Sequence, residues 1–280
     1  MEFFTCQWHQ EVVFFGSYEI LKCLIRLSVV LWTAATYSQA ATIFDSTGDI
    51  DPGIDTGNGT LDILSMEVSS NGTDIAFALT LNGNVSSTNW GKFMIGISTG
   101  STASTNTGNG WGRPIQLNSP VGGMDYWIGG WADGTSTHAG AGGGGAGGSE
   151  VYHYVSGAWV LAGATYDVAA PSFSYAMTPG AQSSINWTVP FTLLGLAGGD
   201  TFYFDAYSSG GGGSDSAVDA LSNPNVSITN WAGPSTSSTV GSGGVGLSSY
   251  TIVPEPSTFA LLGLGGIAFA TCRSRRRLHS

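Results

Sequence analysis

Carboxylate side chains are concentrated in one short stretch near the start of the central region. Five aspartates occur there within 18 residues: Asp45, Asp49, Asp51, Asp55 and Asp62. A flexible, glycine-rich turn that presents hard oxygen ligands suits Ca²⁺, which accepts about six to eight of them. Because no glutamate closes the loop, the spacing is not that of an EF-hand, and aspartates also favour ordinary turns. The stretch predicts a calcium site with Asp45, Asp49, Asp51 and Asp62 as ligands, and solvated turns are the alternative.

A second glycine-rich stretch, GGGGSDSAV at residues 210–218, also carries a carboxylate. It nearly fits the repeat that binds calcium in β-rolls, but a single copy has no neighbouring repeat to stack against. A β-roll is therefore not expected. Asp215 and the nearby Asp219 remain candidates for a calcium site in a sandwich.

Aromatic side chains are concentrated on a predicted hairpin. They are Trp127, Trp131, Tyr152, Tyr154 and Trp159. Tryptophan faces can stack on the apolar faces of sugar rings, and the alternative is that these rings pack in the core. On a strand, Trp127 points opposite to Tyr126 and Ile128. We expect Trp127, Trp131 and Tyr152 to include a ring that contacts a ligand.

The residues that could form a catalytic site are weakly arranged. Gly96 to Gly100 match G-x-S-x-G around Ser98, but that motif needs a following helix, which STASTNTGNG cannot form. His138 and His153 are the only histidines of the central region, too few for a zinc site without cysteine. A pair of carboxylates for glycoside hydrolysis can be drawn from any acidic chain. We therefore expect a non-enzymatic protein, and a secreted glycoside-active hydrolase is the weaker alternative.

The central region alternates like a set of β-strands. In TDIAFALTL, the apolar residues from Ile75 to Leu81 fall on one face, and LDILSMEVSS alternates with a slip at Leu64 that predicts a bulge. Further predicted strands are WGKFMIGIST, MDYWIGGW, SEVYHYVSGAWVLA, SINWTV and DTFYFDAYSS. PFTLLGLAGG predicts one short helical turn that ends at Gly198. The predicted fold is an all-β, antiparallel β-sandwich, jelly-roll or immunoglobulin-like, with flexible Gly/Ser-rich loops.

Composition divides the chain into four parts. Residues 1–40 predict a signal peptide, 41–232 the sandwich, 233–252 a Gly/Ser-rich linker, and 253–280 a separate C-terminal tail with a transmembrane segment. Residues 98–114 and 133–148 predict loops, the second of low complexity.

Charge excludes one class of partner. Between residues 41 and 252, two basic residues, Lys92 and Arg113, stand against 13 Asp and 2 Glu, a formal charge of 2 − 15 = −13. Such a surface repels phosphate backbones, so we expect no nucleic-acid binding. The three cysteines, Cys6, Cys23 and Cys272, lie outside this region, so no disulfide framework is expected there.

The N-terminal segment has the pattern of a secretory signal. Lys22 and Arg26 precede a short apolar run, and Ser38 and Ala40 are small residues at the −3 and −1 positions of a cleavage after Ala40. The run is shorter than the roughly 20 residues of a spanning helix, although a membrane anchor is the alternative. We expect the Sec translocon and signal peptidase as partners. We also expect that the start codon is assigned too far upstream and that translation begins near Ile20 or Leu21.

The C-terminal segment combines three features in a fixed order. Pro254, Glu255 and Pro256 come first, then an uncharged apolar run over 259–270, and then a basic cluster. The cluster consists of Arg273, Arg275, Arg276 and Arg277. Arginines directly after an apolar segment resist translocation and hold the tail on the cytoplasmic side. The segment predicts a helix that spans the membrane once.

This tail resembles the PEP-CTERM sorting signal. The resemblance implies that an exosortase, a membrane-embedded cysteine transpeptidase, recognises Pro254-Glu255-Pro256 and removes the tail. It also implies export in a Gram-negative bacterium that makes exopolysaccharide, transient anchoring in the inner membrane, and a final location at the cell surface or outside the cell.

The central region resembles DOMON-like and family-nine-type carbohydrate-binding sandwiches. The segments concerned are Asp45 to Asp51, the strands quoted above, and INWTVPFTLLGL. This resemblance implies a sandwich that binds a sugar or a cofactor, often beside calcium. We therefore expect an exported, non-enzymatic surface or matrix protein that binds polysaccharide. A purely structural matrix protein without a specific ligand is the alternative.

Overall fold

Strands and tight turns dominate the described part of the chain. The computed structural model describes residues 40–50, 59–87, 90–106, 108–132, 147–165, 173–224, 226, 230–236 and 247–254. The strands are, in chain order, β1 (Ala40–Phe44), β2 (Ile63–Ser70), β3 (Asp74–Leu81), β4 (Lys92–Ser98), β5 (Ile115–Gln116), β6 (Tyr126–Trp131), β7 (Gly148–Val155), β8 (Ala158–Ala164), β9 (Ser174–Thr178), β10 (Ser183–Pro190), β11 (Thr201–Ser209), β12 (Ala217–Ala220), β13 (Ser235–Thr236) and β14 (Ser248–Thr251). The two predicted terminal helices lie outside the described residues.

The strands form two main antiparallel sheets. One has the order β1-β2-β3-β10-β9, and the other has the order β12-β11-β4-β6-β7-β8 with β14 also paired to β11. A short parallel pair joins β5 to β13. This arrangement confirms the predicted all-β, antiparallel sandwich.

The main core lies between the two sheets. From β3, Ile75, Phe77 and Leu79 are completely buried, as their alternation predicts. The ring of Phe77 meets the rings of Phe202 and Phe204 from β11 edge-on, with centroids 6.1 and 6.2 Å apart. Aromatic pairs in this geometry add about 0.5–1.5 kcal/mol beyond the burial of their area.

A second apolar cluster covers the other face of the seven-stranded sheet. Trp127 of β6 stacks on Tyr207 of β11 there, with ring centroids 6.1 Å apart. Met124 and Leu117 pack against them from the segment between β4 and β6. The region predicted as a simple loop over 98–114 therefore leads into a segment that covers a sheet face.

Two local predictions meet the structure differently. The pairing of β2 with β3 shifts register between Ile63 and Ser65, which confirms the bulge predicted at Leu64. The helical turn predicted in PFTLLGLAGG is a 3₁₀ turn over Phe191–Leu194 that ends at Gly195 rather than Gly198. Gly195 adopts a left-handed conformation, φ 60°, which a glycine accepts without strain and which ends the turn early.

The predicted linker over 233–252 needs correction at both ends. Ser235–Thr236 forms β13, and Ser248–Thr251 forms β14, which pairs with β11. Tyr250 and Ile252 are buried in the main core, so apolar side chains at alternating positions draw this segment into the sheet. The described domain consequently continues to Pro254.

Candidate metal centre

Three aspartates converge where the two sheets meet. Asp45, Asp49 and Asp219 each present a carboxylate oxygen, and these oxygens lie within 4.8 Å of one another. Asp45 follows β1, at the edge of the five-stranded sheet, and Asp219 lies on β12, at the edge of the seven-stranded sheet. The cluster therefore draws its side chains from both layers of the sandwich.

The turn after β1 places the first two carboxylates. The Asp45 backbone N–H donates to the Leu64 carbonyl at 2.9 Å, which ties the end of β1 to β2. Gly48 adopts φ 80°, a left-handed conformation that lets the chain turn so that Asp49 follows Asp45 at short range. The Gly48 N–H donates to Asp62 Oδ2 at 3.0 Å, and the Asp62 oxygen also accepts a bond from Asn82 Nδ2 at 2.9 Å.

Asp219 is completely buried and bonded to both sheets. Its Oδ2 accepts a hydrogen bond from the Ile63 N–H of β2 at 2.6 Å, and its Oδ1 accepts one from the Ala220 N–H at 2.8 Å. Nearby, the Ser208 hydroxyl of β11 donates to the Leu61 carbonyl at 2.5 Å. These bonds fix the distance between the sheets at the cluster.

The carboxylates of the cluster repel one another in a poorly hydrated site. The pKa of Asp45 is raised to about 8, mainly by burial; the Ser46 N–H lowers it, and the charges of Asp49, Asp205 and Asp62 contribute smaller increases. Burial likewise raises the pKa of Asp49 above its ordinary value, with Asp62 contributing. Burial raises the pKa of Asp219 well above its ordinary value, and Asp45 adds to that shift.

The lysine and the arginine of the described central region donate hydrogen bonds to groups outside the cluster. Lys92 Nζ donates to the Trp90 carbonyl, and Arg113 donates to Ser209 and to the carbonyls of Gly210 and Asp215. Among the described residues, the charged neighbours that raise the pKa values of Asp45, Asp49 and Asp219 are other aspartates. Carboxylates crowded in this way are chemically suited to binding a cation.

The oxygens fit a calcium ion. Oxygens that share one Ca²⁺ lie about 2.3–2.6 Å from the ion, so they cannot be more than roughly 5 Å apart, which these three satisfy. Asp45 Oδ2 and both oxygens of Asp49 are shielded from water and accept no hydrogen bond from the described residues. A hard divalent cation supplies the positive partner that such oxygens need.

The structure brings together part of the predicted ligand set. Asp45 and Asp49 lie in the cluster, and Asp62 lies beside them with its Oδ2 bonded to the turn. Asp51 and Asp55 lie outside the described residues. Asp219 joins the cluster from the far end of the chain, whereas Asp215 lies in a different place, beside Arg113.

The predicted aromatic platform is mostly enclosed. Trp127 is 0 % exposed and Trp131 is 8 % exposed, so neither presents an open ring face. Trp111 lies over Gly129 between them, where a Cβ would collide with its indole, and its Nε1 donates to Glu150 Oε2 at 2.7 Å. Tyr152, half-buried, donates to the same carboxylate at 3.2 Å. Packing thus accounts for the positions of Trp127 and Trp131, and Tyr152 keeps partial access to solvent.

The residues considered for catalysis are dispersed. Ser98 is the last residue of β4, is completely buried, and is followed by irregular chain. His153 of β7 stacks on Tyr126 with ring centroids 4.5 Å apart. His138 lies outside the described residues.

The sorting signal begins where the fold ends. The Gly199 N–H donates to the Ile252 carbonyl at 2.8 Å, and the Ile252 N–H donates to the Asp200 carbonyl at 2.9 Å. Pro254 is exposed two residues later. The rest of the predicted signal, together with Ser38, lies outside the described residues, while Ala40 is the first residue of β1. The described helical turns include none long and apolar enough to cross a membrane.

A family model described as the PEP-CTERM protein-sorting motif matches residues 253–277. The chain carries a PEP-CTERM sorting motif. This match confirms the resemblance seen in the tail and identifies an exported protein with a membrane-anchored C-terminal sorting signal that is processed by an exosortase. No curated protein matches the chain significantly.

Proposed function

We propose that this PEP-CTERM protein works outside the cell as a non-enzymatic, calcium-binding sandwich that binds polysaccharide. The observation that carries the calcium proposal is the convergence of Asp45, Asp49 and Asp219, whose oxygens meet the spacing of one ion and include buried oxygens that accept no hydrogen bond from the described residues. Export supports it as well, because extracellular calcium modules work with dissociation constants of about 10⁻⁴–10⁻³ M.

The role of the ion in this proposal is to join the sheets. Asp45 and Asp49 leave the edge of one sheet, and Asp219 belongs to the edge of the other. An ion shared among them converts mutual repulsion into a link between layers. We expect calcium to stabilise the folded domain rather than to take part in a reaction.

The polysaccharide proposal rests on the destination and on the side chains. A PEP-CTERM motif sends the protein out of the cell, and the resemblance to carbohydrate-binding sandwiches fits the fold class. Several tryptophans, among them Trp90, Trp111 and Trp231, remain partly exposed. A matrix protein without a specific ligand remains the competing proposal, and binding assays with soluble glycans separate the two.

The route that we propose runs through the Sec translocon and signal peptidase, then an exosortase, to the surface of a Gram-negative cell. Intact-mass spectrometry of the protein recovered from its host tests this route. We expect loss of the leader up to Ala40 and of the tail near Pro254. A mass that still includes Arg273 to Ser280 contradicts processing and makes the tail a permanent anchor.

Calcium binding is tested by thermal unfolding of the full-length protein with calcium or with a chelator. At a calcium concentration of 100 times the dissociation constant, the ion adds about 2.7 kcal/mol, which is roughly a 5–10 °C rise in Tm for a domain of this size. Magnesium should have a much smaller effect, because it demands a tighter octahedral set of ligands.

The Asp45→Asn variant makes this test specific. Without calcium it should be at least as stable as the wild type, because it replaces a carboxyl group whose ionised form is disfavoured by burial and by its acidic neighbours. With calcium it should be the less stable of the two. Asp200→Asn, at an exposed aspartate, is the matched control and should respond to calcium like the wild type. Equal Tm values with calcium and with chelator contradict the proposal.

A further inference from the structure

A small cleft lies between two tryptophans, apart from the aspartate cluster. Trp90, before β4, and Trp231, before β13, hold their rings 6.2 Å apart, with planes at 87°. Together with Gly210, Gly211 and Asp215 they line a space of about 310 Å³. This volume lies at the small end of the range for ligand sites and suits a single sugar residue of a longer chain.

We propose that this cleft binds one neutral pyranose ring of an extracellular polysaccharide. The inference rests on the proposed binding of polysaccharide and assigns it to a site and a ligand class. Both indoles are half-buried, with one part packed on the main core and the rest directed to the cleft. An aromatic face of this kind contacts the C–H face of a sugar ring, while a second ring at a right angle encloses its edge.

The floor of the cleft is shaped for close approach. A Cβ at Gly210 would lie 2.7 Å from the Trp231 ring, and a Cβ at Gly211 would lie 3.1 Å from Trp90 Cβ. Any larger residue at position 210 would therefore displace the indole. Glycines here keep the floor low and the space between the rings open.

Asp215 supplies the polar group that orients a sugar. Its Oδ2 accepts a hydrogen bond from the Gly212 N–H at 2.7 Å, which fixes the carboxylate beside the cleft. Carboxylates accept charge-assisted hydrogen bonds from hydroxyl groups. A polyuronate would bring further negative charge to this group, in a central region whose formal charge is already −13, so the chemistry favours an uncharged glycan.

Both basic residues of residues 41–252 hold the walls of the cleft. Lys92 Nζ donates to the Trp90 carbonyl at 2.9 Å. Arg113, 3 % exposed, donates to the Asp215 carbonyl at 2.9 Å and to the Gly210 carbonyl at 3.3 Å. The Ser216 N–H donates to the Trp231 carbonyl at 2.6 Å. A site whose backbone is fixed before binding loses less entropy when the ligand arrives.

The test is affinity electrophoresis of the full-length protein in native gels that contain hydroxyethyl cellulose, dextran, xylan or alginate. We expect at least one of the neutral glycans to retard the wild type, and alginate to leave it unretarded. Trp90→Ala and Trp231→Ala should each weaken the retardation by about tenfold or more, as truncation of a central aromatic contact does. Asp215→Asn should weaken it less, since the amide oxygen still accepts a hydrogen bond.

Trp159→Phe is the matched control, because Trp159 is also partly buried but lies on β8, away from the cleft. It should bind like the wild type. Tm measurements verify that each variant is folded. If a tryptophan variant does not fold, Asp215→Asn still tests the cleft. Retardation that is unchanged in all three cleft variants overturns the cleft and leaves polysaccharide binding intact. No retardation by any neutral glycan overturns both, and retardation by alginate alone overturns the neutral ligand.

Discussion

Asp215 and Asp219 are four residues apart on the same β11–β12 hairpin, yet they belong to opposite kinds of site. Asp219 is completely buried among other aspartates, and Ile63 and Ala220 donate to it through their backbone N–H groups. Asp215 is half-exposed at a cleft, where its charge opposes the effect of burial on the pKa of Arg113. The hairpin thus presents one carboxylate to a buried aspartate cluster and another to an open cleft.

The difference between the two sites follows from where the two basic side chains of the central region lie. Arg113 and Lys92 both donate hydrogen bonds to groups at the cleft, whereas the carboxylate oxygens of Asp45, Asp49 and Asp219 lie within 4.8 Å of one another at the junction of the sheets. A basic side chain that donates hydrogen bonds to the backbone keeps a site such as the cleft in shape without a ligand. A carboxylate cluster without one lowers its charge by binding protons, as the raised pKa values indicate, or by binding a cation, as we propose.

Replacing the buried arginine should have the largest effect on this division. In Arg113→Met, the carbonyls of Gly210 and Asp215 and the Ser209 hydroxyl lose a charged donor in a buried place. We expect the free energy of unfolding to fall by about 3 kcal/mol and glycan binding to be lost. The rise in Tm on adding calcium should persist. Denaturant unfolding and the native gel assay measure these effects. Loss of the calcium response would contradict the independence of the aspartate cluster and the cleft.

The two aspartates of the hairpin should respond in opposite ways to the same substitution. Asp219→Asn keeps an acceptor for the Ile63 N–H but removes a charge, so the calcium-dependent rise in Tm of about 5–10 °C should shrink to near zero. Asp215→Asn should retain that rise and bind glycan more weakly. Thermal unfolding with and without calcium checks the first, and affinity electrophoresis checks the second. Identical calcium responses would contradict the comparison.

A smaller effect should appear in the pH dependence of the metal-free protein. Asp45, Asp49 and Asp219 all have a pKa raised by folding, so between about pH 4 and pH 8 the folded state binds more protons than the unfolded state. Stability without calcium should therefore fall as pH rises through this window, by about 1–2 kcal/mol once solvent screening of the part-exposed carboxylates is allowed for.

Calcium should reverse this trend, because the ion binds the ionised carboxylates and its affinity rises with pH. Tm measured at several pH values in chelator and in calcium shows both slopes. Asp45→Asn should flatten the slope in chelator. A metal-free Tm that rises from pH 5 to pH 8 would contradict the electrostatic account of the cluster.

The sandwich could be predicted because strand alternation is local. The alternation of Ile75, Phe77 and Leu79 is enough to predict the buried face of β3. The slip at Leu64 likewise predicts the bulge without knowledge of the partner strand. β12 and β14 escaped prediction because they are four residues each and lie in stretches rich in Gly and Ser. Their partner, β11, gives them a place in the sheet that their own sequence does not signal.

The sites were only partly predictable because long-range pairing builds them. Asp45 and Asp49 are neighbours in sequence and were grouped as ligands, whereas only the fold brings Asp219 to them. The predicted ligand-binding tryptophans, Trp127 and Trp131, lie on β6, where the segment between β4 and β6 covers them. Trp90 and Trp231 lie in connections far apart along the chain, and sequence offers no signal that these two meet.

The Ile63–Asp219 bond spans 156 residues, and the bond between the Ser70 and Tyr250 hydroxyls spans 180. Neither contact can form until almost the whole central region has been synthesised and delivered to the same compartment. Contacts this distant in sequence slow folding, and on the export route that we propose the chain crosses the membrane before it folds. We therefore expect the layers to close late and outside the cytoplasm, where the carboxylates first meet abundant calcium. The long sequence separation of these residue pairs therefore predicts that the contacts between the two sheets form last.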